Sequence, residues 1–348
     1  MSIQHPRHTP SCSITQAACL TMLPNELILL ISNDLTRKQD LNSFLRCNHR
    51  FYNLLNQQLY RLDAQSPRND AIWWAVKTAD VELAKRAIDA GSDPNKKCES
   101  GGWVRHRPLY VAVFQAKNTH KRKFVHEGEA PDFLQKNDHL IRYLVSRNAD
   151  VNCLDNYEKS PLRLAVFNGE ITSVRVFLDN GGDATMQDYH GHGLANLVVG
   201  RAQSDGPNGL IYLEILKLLL ESGLNPKNGG RDKFTPLHQQ MSAVGGKIRR
   251  ENRTGCRTLS EERVEDVLKL LLKYGADIDA QDEFGQTPLS LALLCLPREP
   301  ICLKLLLQCG ADTSLFTLPP AGEKRDAAIK ACHEVSQKTG RIFEFLTE

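Results

Sequence analysis

The chain has 348 residues, of which 41% are hydrophobic and 24% charged, and its formal net charge is +3. This composition is typical of a folded globular protein. The small net charge gives no support for a nucleic-acid partner, and no apolar run approaches the roughly 20 residues that span a bilayer. We therefore expect neither a nucleic-acid partner nor a membrane partner.

Ten cysteines are scattered along the chain without regular pairing distances. Several of them, such as Cys47, Cys295 and Cys302, fall in the apolar stripes of predicted helices, as reduced core cysteines do in proteins of the cytoplasm or nucleus. Zinc ligands can be drawn from Cys12 and Cys19 with nearby histidines, but no Cys-x-x-Cys pair exists. We expect no metal, no cofactor, and a cytoplasmic or nuclear location.

Residues 1–20 predict a disordered leader. They carry His, Pro, Arg and Ser ahead of a short apolar patch, which is a poor secretory signal.

Residues 21–63 predict a small domain of three short helices. Leu27, Ile31 and Leu35 are spaced by four and form one stripe of a helix that Pro24 begins. Two further apolar stripes follow at 41–45 and 51–55. About forty residues are few for a self-sufficient core, so the surplus of apolar side chains favours a partner that covers them.

This segment resembles an F-box in the order Leu-Pro-x-Glu-Leu, Ile, Leu, Asp-Leu, Arg-Phe, Leu, with Cys47 as a mild departure. The resemblance implies docking on a Skp-type adaptor and, through it, on the cullin of a ubiquitin ligase. The alternative is a helical cap packed onto the element that follows. The residues that match the adaptor-binding positions of the family are Leu23, Pro24, Glu26, Leu27, Ile31, Leu35 and Leu41.

A five-residue phrase recurs through residues 69–315. Each copy follows an apolar helical stretch, and the copies centred on Asp150 and Asp183 lie 33 residues apart. The pattern predicts stacked units with a base period near 33, interrupted by insertions. The phrase reads Gly-Ala-Asp-Ile-Asp at 275–279 and Gly-Ala-Asp-Thr-Ser at 310–314, with weaker copies at 91–95, 148–152, 181–185 and 223–227.

A second phrase predicts the start of a helix in each unit. It reads Thr-Pro-Leu-His at 235–238 and Thr-Pro-Leu-Ser at 287–290, with variants at 107–110 and 160–163. Thr or Ser caps the first N–H groups, and Pro occupies the first helical position, where it loses no hydrogen bond. Gly275 and Gly310 are placed to end the second helix in the left-handed conformation.

These two phrases resemble ankyrin repeats, whose signature is Thr-Pro-Leu-His-x-Ala with a 33-residue period. The resemblance implies an all-α solenoid of about six helix pairs with β-turn fingers over residues 69–315, preceded by the three-helix F-box. Asp70 is predicted to cap the first pair, and Gly193 replaces the capping residue of a degraded fourth unit. Solvated insertions are expected near 116–138, 201–211 and 242–262, and capping helices over 316–348.

The turns ahead of each helix-start phrase project as fingers in ankyrin-like repeats and are the expected substrate contacts. Exposed aromatic side chains are typical anchors for protein partners. Phe234 abuts Thr235 and is the side chain most expected to fold back, and the basic insertion with Arg249, Arg250 and Arg253 is an alternative contact surface. The candidates on the fingers are Trp103, His106, Tyr157, Lys159, Tyr189, His190, His192, Phe234 and Phe284.

No catalytic constellation is found in the sequence: it has no phosphate-binding Gly-rich loop, no Gly-x-Ser-x-Gly and no His-Glu-x-x-His. We therefore expect no enzyme. Two hypotheses follow, a substrate-recognition adaptor of an SCF-type cullin–RING ubiquitin ligase, or an ankyrin scaffold that assembles or sequesters partners without a ligase.

Overall fold

The computed structural model describes residues 20, 22–98, 106–117, 129–155, 158–187, 191, 193–203, 207–243, 260–293, 296, 300–314 and 322–340, and every regular element among them is a helix. None of these helices is long and apolar enough to cross a membrane. In chain order they are α1 Asn25–Asp34, α2 Lys38–Leu45, α3 His49–Gln65, α4 Asp70–Thr78, α5 Val81–Asp89, α6 Pro108–Lys117, α7 Glu129–Ser146, α8 Pro161–Asn168, α9 Ile171–Asp179, α10 Leu194–Ala202, α11 Pro207–Glu221, α12 236–243, α13 Glu261–Lys273, α14 Pro288–Leu293, α15 Ile301–Gln308 and α16 Glu323–Thr339.

The described residues divide into two compact units. Unit 1 comprises 1–112 and 123–148, and unit 2 comprises 113–122 and 149–348. In unit 1 the cluster α1–α3 is joined to the helix pair α4–α5, against which α7 packs. In unit 2 the pair α8–α9 packs against α10–α11, and α16 packs on α15 near the end of the chain.

The pair α8–α9 shows why the sequence forms these units. The Ser160 hydroxyl accepts a hydrogen bond from the Arg163 N–H at 3.1 Å, and Pro161 opens the helix. Gly169 ends α8 with a φ of 77°, a conformation that glycine adopts without cost. The Leu162 and Ala165 side chains between these signals are wholly buried.

Polar rungs join successive turn phrases. Asp150 Oδ1 accepts from the Asn152 N–H at 3.0 Å, which holds the turn. The Asn152 side chain then spans to the next phrase, donating to the Gly181 carbonyl at 2.9 Å and accepting from the Asp183 N–H at 2.8 Å. Asp279 accepts from the Asp312 N–H at 2.7 Å in the same way. The repeated sequence phrase thus forms repeated hydrogen bonds between neighbouring units.

The unit that begins at Gly193 departs from this pattern. Thr185 turns its hydroxyl onto Asp183 Oδ1 at 2.6 Å, and Gly193 provides no side-chain cap for α10. Asn196 donates to the Phe234 carbonyl at 2.8 Å, as His238 Nε2 faces the Gln286 carbonyl at 2.9 Å. The buried Asn196 Oδ1 has no hydrogen-bond partner among the described residues. The first turn of α10 therefore lacks the side-chain cap that Ser160 gives to α8.

Two sequence expectations differ from the structure. The insertion expected near 116–138 is helical from Glu129 onward, and the one expected near 201–211 is helical again from Pro207. Of the segment expected to form capping helices, residues 322–340 include α16, and residues 316–321 and 341–348 lie outside the description. The leader 1–20 lies outside it as well, apart from residue 20.

Gly193→Thr should stabilise the protein. Gly193 has an extended backbone with a φ of −78°, and a Cβ built there meets no atom within 4 Å. A threonine hydroxyl caps α10, and the larger residue restricts the unfolded chain, so the free energy of unfolding should rise by about 1 kcal/mol. Thermal unfolding of the full chain measures this. Gly193→Ala, which lacks the hydroxyl, is the control, and an equal gain in both variants would contradict the capping argument.

Candidate functional site

The N-terminal cluster has its own small core. Ile28, Leu41, Leu45, Phe51 and Leu55 are buried together, and Leu23 and Leu35 pack against them partly buried. Leu41 is 0% exposed. The resemblance placed Leu41 among the adaptor contacts, but the structure makes it a core residue, because it presents no surface to a partner.

One side of α1 displays exposed apolar side chains. Leu27 is 44% exposed, Leu30 61% and Ile31 37%, while Ile28 and Ser32 are the buried residues of this helix. Leu27, Leu30 and Ile31 follow the i, i+3, i+4 spacing and therefore share one side of the helix. Met22 is exposed just ahead of α1, as are Pro24 and Glu26 at its start. We call Met22, Leu27, Leu30 and Ile31 the apolar α1 face.

Polar contacts fix α1 against α3. The Arg50 guanidinium donates to the Leu23 carbonyl at 2.8 Å and to Asn25 Oδ1 at 2.6 Å. At the other end of α1, the Ser32 hydroxyl donates to Gln58 Oε1 at 2.7 Å. The apolar α1 face is thus held in place at both ends of the helix, which reduces the entropy lost when a partner covers it.

Asp63 joins this cluster to the first helix pair. Its carboxylate accepts from the Asp70 N–H at 3.1 Å and from the Ala71 N–H at 2.7 Å, so it caps α4 from outside that helix. Lys38, the first residue of α2, forms an ion pair with the same carboxylate and another with Asp70 at 2.8 Å. Asp70 was expected to be the cap itself, and the structure corrects this to Asp63.

Lys38 holds its charge in this junction. Partial burial alone lowers the pKa of the ammonium group, but hydrogen bonds to Asp63 and Asp70 outweigh burial, so that the pKa lies above its ordinary value. The carboxylate of Asp63 therefore faces a cation at neutral pH.

The predicted finger residues divide into described and undescribed ones. His106 is partly buried, and its ring centroid lies 5.1 Å from that of Tyr110. Lys159 is exposed on a turn that Asp155 closes by accepting from the Lys159 N–H at 2.8 Å. The residues that lie outside the description are Trp103, Tyr157, Tyr189, His190 and His192.

Phe284 stands on a rigid finger of unit 2. Asp282 Oδ1 accepts from the N–H groups of Phe284 at 2.9 Å and of Gln286 at 2.8 Å, which closes the turn. The Glu283 N–H donates to the Asp232 carbonyl at 2.9 Å and ties this finger to the preceding one. Phe284 is 78% exposed at the tip.

Phe234 on the preceding finger behaves differently. Its side chain is partly buried, and its ring centroid lies 5.4 Å from that of the buried His238. Of the two phenylalanines predicted as contacts, Phe284 therefore offers far more surface to a partner.

Comparison with known proteins gives concordant matches. A family model described as ankyrin repeats in many copies matches residues 257–307. Ankyrin repeat and SOCS box protein 16 of Mus musculus is 28% identical over 160 residues, which are 44% of this chain and 31% of that protein. The Homo sapiens protein of the same name is 26% identical over 265 residues, 74% of this chain and 49% of its own length. The chain thus spans less than half of these curated relatives.

A solved structure supports the same fold. The crystal structure of an ankyrin repeat domain from Acinetobacter baumannii superposes with a TM-score of 0.52, covers 69% of this chain and 98% of its own, and is 23% identical. At that identity the likeness shows the fold alone. The ankyrin-repeat fold is typically a non-catalytic module for protein interaction. The family model, the relatives and the fold together support ankyrin repeats in this chain.

Proposed function

We propose that this protein is a non-catalytic adaptor of an SCF-type cullin–RING ubiquitin ligase, acting in the cytoplasm or nucleus. The apolar α1 face docks on the Skp-type adaptor and thereby on the cullin, and the ankyrin repeats hold a protein substrate. One observation carries the proposal. An exposed row of Leu27, Leu30 and Ile31 lies in the segment whose sequence resembles an F-box.

The physical argument for docking is burial. A leucine side chain that passes from water into an interface contributes roughly 1.5–3 kcal/mol when it is fully covered. Leu27 and Leu30 stand on a helix already fixed by Arg50, so their ordering costs little on binding. Exposed apolar rows of this kind mark interaction surfaces.

The argument for substrate binding concerns the fingers. Phe284 is displayed on a turn whose backbone is held by Asp282 and by the neighbouring finger. A large aromatic side chain on a fixed backbone buries much area at a small entropy cost. We therefore assign Phe284 as the first anchor of the substrate on the described fingers.

A second candidate function is an ankyrin scaffold without a ligase. It is favoured by the packing of α3 on both α4 and α5, which is where a preceding helix pair would cover the stack. In this case the N-terminal cluster acts only as a cap, and the apolar α1 face binds something other than the Skp-type adaptor.

Truncating the apolar α1 face should remove adaptor binding. The double variant Leu27→Ala, Leu30→Ala should weaken binding of purified Skp-type adaptor by on the order of 50-fold, since both leucines lose most of their buried area. Isothermal titration calorimetry with the full chain measures this. Leu154→Ala and Leu210→Ala, which change exposed leucines of unit 2, are matched controls that should bind normally. A wild-type chain that fails to bind the adaptor would favour the scaffold.

Phe284→Ala should weaken substrate capture and leave adaptor binding intact, because the two surfaces belong to different parts of the chain. The measurement is quantitative affinity purification from cells, with the wild type, Phe284→Ala and the control Leu210→Ala compared for each co-purifying protein. The amount of a co-purifying substrate should fall about tenfold with Phe284→Ala and stay unchanged with Leu210→Ala. If capture instead survives this change and disappears on charge reversal at Arg249, Arg250 and Arg253, the basic insertion is the recognition surface.

A further inference from the structure

The chain between the N-terminal cluster and the first helix pair is held by several hydrogen bonds. Besides the Asp63 contacts, Lys96 Nζ donates to the Ser66 carbonyl at 2.7 Å. The Ser92 hydroxyl donates to Asn69 Oδ1 at 2.8 Å, and Asn69 is wholly buried. The residues between α3 and α4 are therefore bound to Ser92 of the first turn phrase and to Lys96 just after it.

We infer that Asp63 couples the N-terminal cluster to the first helix pair energetically, so that occupation of the apolar α1 face stabilises the first turn of α4. The identity of the occupant rests on the proposed function, but the coupling itself does not. Such coupling is reciprocal: a substrate that orders the first helix pair strengthens binding at the α1 face by the same factor.

The argument begins with the position of the carboxylate. The buried Asp63 carboxylate accepts hydrogen bonds from two N–H groups of α4 and forms an ion pair with Lys38 of α2. Any movement of α3 away from α4 removes the acceptor of two backbone donors and leaves a buried charge with fewer partners. Both changes are unfavourable, because buried donors and charges are costly when unpaired. The two elements are therefore expected to loosen together.

A neighbouring helix provides the internal contrast. The α5 helix is capped by its own Asp80, which accepts from the Leu83 N–H at 3.0 Å. The Asp80 cap is supplied by the helix pair itself, although α3 of the N-terminal cluster also packs on α5. The first turns of α4 and α5 thus have the same kind of cap, but only that of α4 comes from the cluster.

Hydrogen exchange of the full chain tests the coupling. Leu41→Val removes one methylene from the core of the cluster and leaves the Asp63 and Lys38 side chains themselves unchanged. We expect exchange of the Asp70 and Ala71 amides to accelerate about fivefold or more, and that of the Leu83 amide, whose helix also packs on α3, to accelerate clearly less. In an Asp63→Ala background the Asp70 and Ala71 amides should exchange fast and respond to Leu41→Val by less than about twofold, since the coupling is already lost. Asp80→Ala is the matched control, in which the response at Asp70 and Ala71 persists.

Two results would overturn the inference. One is unchanged exchange at Asp70 and Ala71 in Leu41→Val, and the other is equal acceleration at Asp70, Ala71 and Leu83, which means general unfolding. If Asp63→Ala does not fold, Asp63→Asn replaces it, since the amide keeps one acceptor but loses the charge that pairs with Lys38. A chain that shows the coupling but does not bind purified Skp-type adaptor would leave the inference standing and contradict the proposed function alone.

Discussion

The described helix pairs of the repeats are buried by packing on one another, and this constraint governs the rest of the structure. In α9, Val174 and Phe177 are wholly buried. The next pair contributes to this burial, because α8 packs on α10 and α9 packs on α11. Stacking therefore supplies burial, and the two ends of a stack are where burial must come from elsewhere.

The helix α3 covers the first helix pair of the repeats, and it also packs in the core of the N-terminal cluster. Its first half places Phe51 and Leu55 in the core of the N-terminal cluster, and its second half packs on α4 and α5 and carries Asp63. A cap and a docking segment are thus compatible properties of the same helices. The side of α1 that turns away from α3 is left apolar and exposed, which a cap alone does not require.

Much of the repeat architecture could be predicted from sequence because its signals are local. Ser160, Pro161 and Gly169 each act through their own backbone or that of a residue within one turn. Asp63 could not be recognised in this way, since it stands seven residues before Asp70 and becomes a cap only when α3 reaches Gln65 and the chain reverses. The repeated turn aspartates were recognised as a phrase, but not the rungs between them, which depend on contacts across the stack.

Burial within the N-terminal cluster illustrates a different limit. The spacing of Leu41 and Leu45 on α2 was a visible stripe, yet Leu41 was assigned to the partner because a family pattern does not separate core from contact positions. The beginning of α7 was missed because its first turns hold few apolar residues, and among those whose burial is described Phe133 is buried and Leu134 is exposed. Both errors come from reading exposure from sequence, which tertiary packing decides.

The fingers show how register decides which aromatic side chains reach a partner. The residue just before a cap is held to the stack, since the Phe234 carbonyl accepts from Asn196 and the Gln286 carbonyl faces His238. Phe284 stands three residues before Thr287, beyond that attachment, and is exposed. By sequence register Tyr157 and His190 hold the same place before Ser160 and Gly193, although both lie outside the described residues. Aromatic content alone therefore does not identify a partner contact. The number of residues between an aromatic side chain and the helix cap decides whether it packs in the stack, as Phe234 does, or is exposed to a partner, as Phe284 is.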